Sequence, residues 1–162
     1  MCRISIIVAS ARNRVIGQNG RLPWDIPEDW EYFLEKTQEG TLLFGRHCYE
    51  ELMERTKEGR KAVVLSRNPE FQPEFGVRAE SIPQALEIAR SYGREIWICG
   101  GEQVYRETLP IADRLLLTQI DSDVEGDTYF PDWEEFFPHE VSRQESSDQN
   151  FNYTFHTFAK HV

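Results

Sequence analysis

Cysteine is scarce in this chain of 162 residues: Cys2, Cys48 and Cys99 are the full complement, and none belongs to a CxxC pair. A sparse, odd count argues against a disulfide framework, and no metal-ligand cluster accompanies the three. They are expected to be reduced thiols, in the core or at a site, in a cytoplasmic protein. No apolar run approaches the roughly 18 residues of a membrane span, and no secretory pattern is seen at the N-terminus. Positive charge is also in deficit. Eighteen Lys and Arg face 28 Asp and Glu, a formal net charge of -10. Long-range attraction to nucleic acid or to an anionic membrane is thereby disfavoured, so a phosphate-bearing ligand must be held by local cations.

Several catalytic signatures are missing as well. The four histidines, His47, His139, His156 and His161, show no HExxH spacing, and there is no G-x-S-x-G elbow and no GxxxxGK[ST] phosphate loop. His156 alternates within an aromatic strand and reads as structural. No Gly/Ser-rich or Pro-rich linker and no internal repeat divides the chain, which suits one domain with one sizeable core.

The elements alternate through most of the chain. Strands are expected over residues 3–9, 41–44, 62–65, 96–99 and 115–120. Helices are expected from Asp29's neighbourhood onward, over 46–55, over 83–92 with Ser81 as cap, and over 102–109. Residues 66–69 read as a turn. Strand and helix in alternation imply a largely parallel sheet covered on both faces. The last third differs: an acidic loop over 121–132, a strand over 137–143 and another over 152–158, turning near 148–150, read as an antiparallel hairpin at the sheet edge. The expected fold is therefore α/β, with a mostly parallel mixed sheet, a C-terminal antiparallel hairpin and about four helices.

Asp29 stands out in the first helix. At about 100° per residue, Ile26, Trp30, Phe33 and Thr37 share one side while Glu28, Glu31 and Glu35 share the other, and Asp29 goes with the inward group. Two readings stand. Asp29 is one more acid at a helix N-terminus, where Asp25 caps and Pro27 fits the first turn. Alternatively it is an inward acid kept for a cationic or hydrogen-bonding ligand, since a buried unpaired charge costs several kcal/mol.

Three junctions favour phosphate. Gly45 precedes Arg46 and His47 at a helix start, where cations oppose the helix dipole unless an anion sits there or the side chains simply point into solvent. Ser66 and Arg67 end a strand, as many surface turns do. Gly100 and Gly101 open a helix and let backbone amides approach a pyrophosphate, although the third glycine of the dinucleotide fingerprint is missing. Together the three junctions point to a phosphorylated dinucleotide lying across the strand ends.

With the segments around them, these residues resemble the dihydrofolate reductase family. V-I-G at 15–17, L-P-W-D-I-P-E-D at 22–29, F-G-R-H at 44–47, G-R-K at 59–61 and G-G-E-Q-V-Y at 100–105 carry the resemblance. L-T-Q-I-D at 117–121 and V-E-G-D-T-Y-F-P at 124–131 complete it, in an order spanning residues 4–158. The resemblance implies NADPH-dependent reduction of 7,8-dihydrofolate to tetrahydrofolate, by hydride transfer to C6 and protonation at N5. It also implies binding of folate analogues and a monomer without nucleic-acid, membrane or metal partners.

By position, the resemblance makes Asp29 the acid that hydrogen-bonds the pterin and favours protonation at N5. Thr118 bridges that carboxylate to the pterin amino group, Trp24 holds an ordered water, and Leu22 completes the catalytic set. Ile7, Val8, Phe33, Leu52, Cys99 and Tyr105 are implied to meet the substrate, with Arg60 pairing the α-carboxylate of its glutamate tail. NADPH is implied along Ala9, Ile16, Gly17, Gly45, Arg46, His47 and Cys48, at Leu65, Ser66 and Arg67, and across Cys99, Gly100, Gly101, Glu102, Gln103, Val104 and Tyr105. The loop over 17–22 is implied to close over the site, steadied by Asp127.

The chain departs from the family pattern at a few places. Cys48 replaces a common threonine, Glu102 a common third glycine, Gln103 a common basic residue, Trp30 an aliphatic one and Glu51 a small hydroxyl residue, and residues 53–58 lack the usual prolines. Two other readings compete: an NADPH-dependent reductase of the riboflavin type, sharing the sheet and cofactor side, and a nucleotide-binding homologue without turnover.

Overall fold

The computed structural model describes residues 2–161. Its elements run β1 (Ile4–Ala11), β2 (Val15–Gly17), α1 (Pro27–Lys36), β3 (Thr41–Gly45), α2 (Arg46–Thr56), β4 (Lys61–Leu65) and β5 (Val77–Ala79). They continue with α3 (Ile82–Ser91), β6 (Ile96–Ile98), α4 (Glu102–Thr108), β7 (Arg114–Ile120), β8 (Thr128–Tyr129), β9 (His139–Ser147) and β10 (Asn152–Ala159). Eight strands form one sheet in the order β5-β4-β3-β6-β1-β7-β10-β9. Every pair from β5 to β7 is parallel, and β7–β10 and β10–β9 are antiparallel. The expected mixed sheet, with its C-terminal hairpin and four helices, is what forms.

Alternation along β1 explains the layering. Ile4, Ile6 and Val8 pack on the face covered by α3 and α4, whereas Ile7 packs on the face covered by α1 and α2. Successive strand side chains point to opposite faces. Because helices cover both, Ile4, Ile6, Ile7 and Val8 are all buried and the strand reads as a continuous apolar run. At the helix ends, the Ser81 hydroxyl accepts from the Gln84 backbone amide, as expected of a cap.

Four expectations need correction. Asp25 does not cap α1: Ile26 occupies the N-cap with no side-chain bond, so only Pro27 and the acids of the first turn mark the start. Glu28 does not face solvent, because β9 and β10 pass beside α1 and its carboxylate accepts from the Ser146 hydroxyl and the Tyr153 phenol. A helical wheel cannot see a hairpin that arrives from more than a hundred residues away. The loop around Val15–Gly17 is a strand, β2, paired with β8 inside the acidic loop. The short β5 extends the sheet edge beside β4. Both β5 and β2 are three residues long, too short to show a period of two.

The shortness of β6 shapes the molecule. Its pairing ends at Ile6↔Ile98 on one side and Leu43↔Ile98 on the other. Beyond it β1 still pairs with β7 as far as Ala11↔Ile120. A crevice therefore opens between the C-terminal ends of β3 and β1, and Cys99, Gly100 and Gly101 cross its floor.

Candidate active site

Strand ends of this kind are where parallel sheets hold ligands. Here the crevice widens into a cavity of about 680 Å³. Ile7, Val8 and Ala9 from β1 form one wall, and Asp29, Trp30 and Phe33 from α1 form another. The N-terminal half of α2 supplies Arg46, His47, Cys48, Glu51 and Leu52 after Gly45. The floor runs from Cys99 through Gly100 and Gly101 to Glu102, Gln103, Val104 and Tyr105. Ile16, Gly17, Asn19, Gly20, Arg21, Leu22, Asp127 and Thr128 complete the rim.

Backbone groups freed by the end of β6 are taken up locally. The Tyr105 phenol donates to the Ile7 carbonyl at 2.9 Å. The Gly45 amide donates to the Gly100 carbonyl, and the Cys99 amide to the Leu43 carbonyl, each at 2.9 Å. Gly100 has φ +120, and a Cβ there would stand 2.9 Å from Cys48 Sγ. Only glycine lets the backbone lie this close to α2. Tyr105 and Cys99 are buried, and burial holds the pKa of both well above the usual range, so each keeps its proton.

Asp29 sits where its helix meets β7. The Thr118 hydroxyl donates to Asp29 Oδ1 at 2.7 Å. Burial raises the Asp29 carboxyl to about 6, the Thr118 hydrogen bond opposes that rise, and the charge of Glu28 adds to it. The acid therefore titrates close to neutrality, in a cavity whose walls are largely Ile, Val, Ala, Leu, Phe and Trp side chains. Nearby, Trp24 is buried and its indole Nε1 has no hydrogen-bond partner among the described residues.

The other end of the cavity is cationic. Gly45 is the N-cap of α2, and no acid stands in the first helical turn. Arg46 is half exposed there, 3.6 Å from Glu50, with its guanidinium 4.5 Å from the centre of the Phe71 ring. The Cys48 thiol behind it is pushed up to about 12 by burial and then by Glu51, so it stays protonated. Asp127 lies at the rim. Its Oδ2 accepts from the Asn19 amide at 3.1 Å, and with the Thr128 hydroxyl this keeps the carboxyl below its usual range.

Of the residues singled out in the sequence, the cavity brings together Ile7, Val8, Ala9, Ile16, Gly17, Leu22, Asp29, Phe33, Gly45, Arg46, His47, Cys48, Leu52, Asp127 and the run 99–105. Thr118 reaches it through Asp29. Trp24, Arg60, Leu65, Ser66 and Arg67 lie outside its wall. Arg60 is anchored instead to α1 and the following loop, with Nε donating to Thr37 Oγ1 at 3.0 Å, Nη2 to the Leu34 carbonyl at 2.7 Å and Nη1 to the Glu58 carbonyl at 2.9 Å. Ser66 Oγ accepts from the Asn68 amide and turns the chain after β4. Asn19, Gly20, Arg21 and Thr128 were not singled out. The 17–22 loop carried the only signal for the first three, and the pairing of β2 with β8 brings in the fourth.

The chain matches the sequence profile of a family described as dihydrofolate reductase over residues 3–160. It is 40% identical over 152 residues to a dihydrofolate reductase type 3 of Salmonella typhimurium, with 91% of each chain covered. It is 35% identical over 156 residues to a dihydrofolate reductase of Buchnera aphidicola, covering 93% of this chain and 96% of that one. A solved structure of dihydrofolate reductase from Enterococcus faecalis, complexed with NADP(H) and RAB-propyl, has a TM-score of 0.89. The identity to that protein is 31%, with 97% of this chain and 95% of the other covered.

Proposed function

The chain belongs to the dihydrofolate reductase family, and from that membership we propose how its residues divide the work of the reaction. The reaction is the NADPH-dependent reduction of 7,8-dihydrofolate to tetrahydrofolate. One observation carries the residue assignment: a partly buried carboxylate, Asp29, bonded to the Thr118 hydroxyl in a pocket wall shared with Ile7, Val8, Phe33 and Leu52.

The residues present fit the nicotinamide cofactor. The uncapped α2 N-terminus directs backbone amides into the cavity, Arg46 adds a cation and His47 a ring N–H donor, and Gly100 and Gly101 leave room for a diphosphate against backbone. Ala9, Ile16 and Gly17 suit the flat nicotinamide end. Leu65, Ser66 and Arg67 lie beyond the wall and are assigned to the far, adenosine end. When bound, NADPH supplies the hydride that C6 of the pterin accepts.

The chain's own residues do the rest. Asp29 accepts from the pterin ring and amino group, Thr118 holds Asp29 in register, and the raised pKa of Asp29 keeps a proton available for delivery to N5. The free indole N–H of Trp24 gives a water molecule on that path a fixed donor. Ile7, Val8, Leu22, Phe33 and Leu52 exclude bulk water and hold the ring against the nicotinamide face. Arg60, oriented by four backbone and side-chain acceptors, is assigned to the α-carboxylate of the tail.

We also assign the chain as one folding unit, because the eight-stranded sheet draws strands from β1 through β10. A monomer fits the exposed large apolar residues Val77, Ile111, Tyr129 and Val141, which lie on separate stretches of the chain, and the three unpaired cysteines fit the cytoplasm.

The test is NADPH oxidation followed by absorbance, with and without dihydrofolate, in wild type and Asp29→Asn. Dihydrofolate-dependent oxidation that collapses in the variant is expected. Equal turnover of the two at neutral pH would remove Asp29 from its role, and NADPH binding without oxidation in wild type would point to a homologue without turnover.

A further inference from the structure

Glu102 opens α4 at the cavity floor, and one of its carboxylate oxygens bonds outside the helix. Oε1 accepts from the Tyr129 backbone amide at 3.0 Å, while Oε2 accepts from Arg106, one turn further along α4, at 3.1 Å. Tyr129 belongs to β8, which forms a sheet of only two strands with β2. The Asp127 and Phe130 amides point toward β2, donating to the Gly17 carbonyl at 3.0 Å and to the Arg14 carbonyl at 2.8 Å. The Tyr129 amide, between them, points the other way, to Glu102. A free strand edge presents unpaired donors, and here the donor meets a carboxylate from another element.

The strand so fastened carries the loop beside the cofactor end. β8 pairs with β2 at Val15↔Tyr129 and Gly17↔Thr128, and Ile16 and Gly17 of β2 line the cavity. The two segments lie close together: a Cβ on Gly126 would run into the Val15 side chain and the Gly17 carbonyl. From Gly17 the chain enters the 17–22 loop, where the Asn19 amide donates to Asp127 Oδ2 at 3.1 Å. β2, β8 and this loop are thus bonded to one another outside the main sheet. α4 meets them through Glu102 and, one turn later, through Tyr105, whose ring packs edge-on against Phe130 with 5.1 Å between centres.

We propose that Glu102 is a positioning residue: it fastens the free edge of β8 to α4, and so holds β2 and the 17–22 loop in place over the nicotinamide end of the cavity. The role rests on the reaction assigned above, because NADPH is the ligand assigned to that end. The pair with Arg106 is solvent-exposed and adds little by itself. The Tyr129 amide is the contact that matters, and a glycine at position 102 would leave it without this acceptor.

Amide hydrogen exchange of the ligand-free protein tests this in wild type, Glu102→Gln and Glu102→Ala. Both variants remove the charge, and only glutamine keeps an acceptor of the same reach. Glu102→Ala should speed exchange at Tyr129 roughly 10- to 100-fold, the range for a hydrogen bond to a charged acceptor, and Glu102→Gln much less. Exchange at Asp127 and Asn19 should rise together with Tyr129 in Glu102→Ala and stay near wild type in Glu102→Gln. Fluorescence titration should give an NADPH dissociation constant roughly 2- to 30-fold higher in Glu102→Ala than in Glu102→Gln, the scale of coupling through packed segments. Unchanged exchange at Tyr129 would overturn the proposal. Equal effects of the two substitutions, on exchange or on NADPH affinity, would also overturn it, as would faster exchange confined to Tyr129. A wild type that binds NADPH without oxidising it tells against the reaction alone, since exchange and binding decide the fastening without turnover.

Discussion

Thr118 on β7 donates its hydroxyl hydrogen to Asp29 on α1 at 2.7 Å, across 89 residues of sequence. The pair sets the proton affinity of the site. Burial alone would favour the neutral acid, the hydroxyl favours the carboxylate, and the outcome is a carboxyl that titrates at about 6. An acid so placed holds a proton in part of the population at neutral pH and exchanges it quickly with a substrate or water.

Asp29→Asn should keep NADPH affinity, because the cofactor end of the cavity is formed by α2 and the 99–105 segment. It should lose roughly 10² to 10⁴ in the hydride-transfer step. Single-turnover absorbance gives the rate, and quenching of protein fluorescence on titration with NADPH gives the affinity.

The same acid makes both rate and stability fall as pH rises. Protonated Asp29 is lost as pH rises through about 6, so the single-turnover rate should fall above that value. For stability, the native carboxyl at about 6 lies above its ordinary 3.8, so the native state prefers the neutral form. No penalty exists below the ordinary value. It grows between the two values and is complete above the higher one, on the order of 3 kcal/mol. Asp29→Asn should therefore be more stable than wild type in urea at pH 8, and the gain should vanish near pH 4. A gain that is instead larger at the acid end would contradict the raised pKa.

Thr118→Val removes the only hydrogen bond that favours the Asp29 charge among those that shift it. The midpoint of the rate profile should move to higher pH. A midpoint that falls would mean the hydroxyl does not act on the carboxylate.

Arg46→Ala should weaken NADPH binding by roughly 10- to 100-fold, the range for one charge-assisted hydrogen bond. It should leave dihydrofolate affinity close to wild type, since Arg46 lies at the α2 N-terminus and away from Asp29. The affinity lost should also shrink with added salt, because the guanidinium is half exposed. Isothermal titration at two ionic strengths measures both.

Gly100→Ala puts a Cβ 2.9 Å from Cys48 Sγ on a backbone with φ +120. Strain at such a position costs about 1 to 3 kcal/mol, to be read as a shift in the urea midpoint. Gly101 is less demanding, with Cys48 Sγ at 3.6 Å. Gly101→Ala should be the milder of the two.

Much of the architecture was legible because it repeats within a few residues. The apolar run of β1, the Ser81 cap of α3 and the glycines ahead of α4 are short-range signals, and each formed where expected. Asp25 was a reasonable cap on composition, yet the backbone starts the helix one residue later, at Ile26. Glu28 was assigned to water because the wheel of its own helix is all that local sequence describes. β2 and β8 escaped notice since each is short and is stabilised by the other, more than a hundred residues apart. Arg60 was assigned a ligand by position, while its actual orientation comes from the carbonyls of Leu34 and Glu58.

The sequence by itself determined the class of fold, the family and the residue types that meet at the strand ends, because periodicity, turn chemistry and motif order are written locally. Only the tertiary structure decided the chemistry of those residues. The acidity of Asp29 depends on how much water the packing of α1, β1 and β7 excludes. The crevice depends on β6 stopping at Ile98 while its neighbours continue. Desolvation and contact between distant segments are properties of the packed chain, and no stretch of the sequence carries them alone.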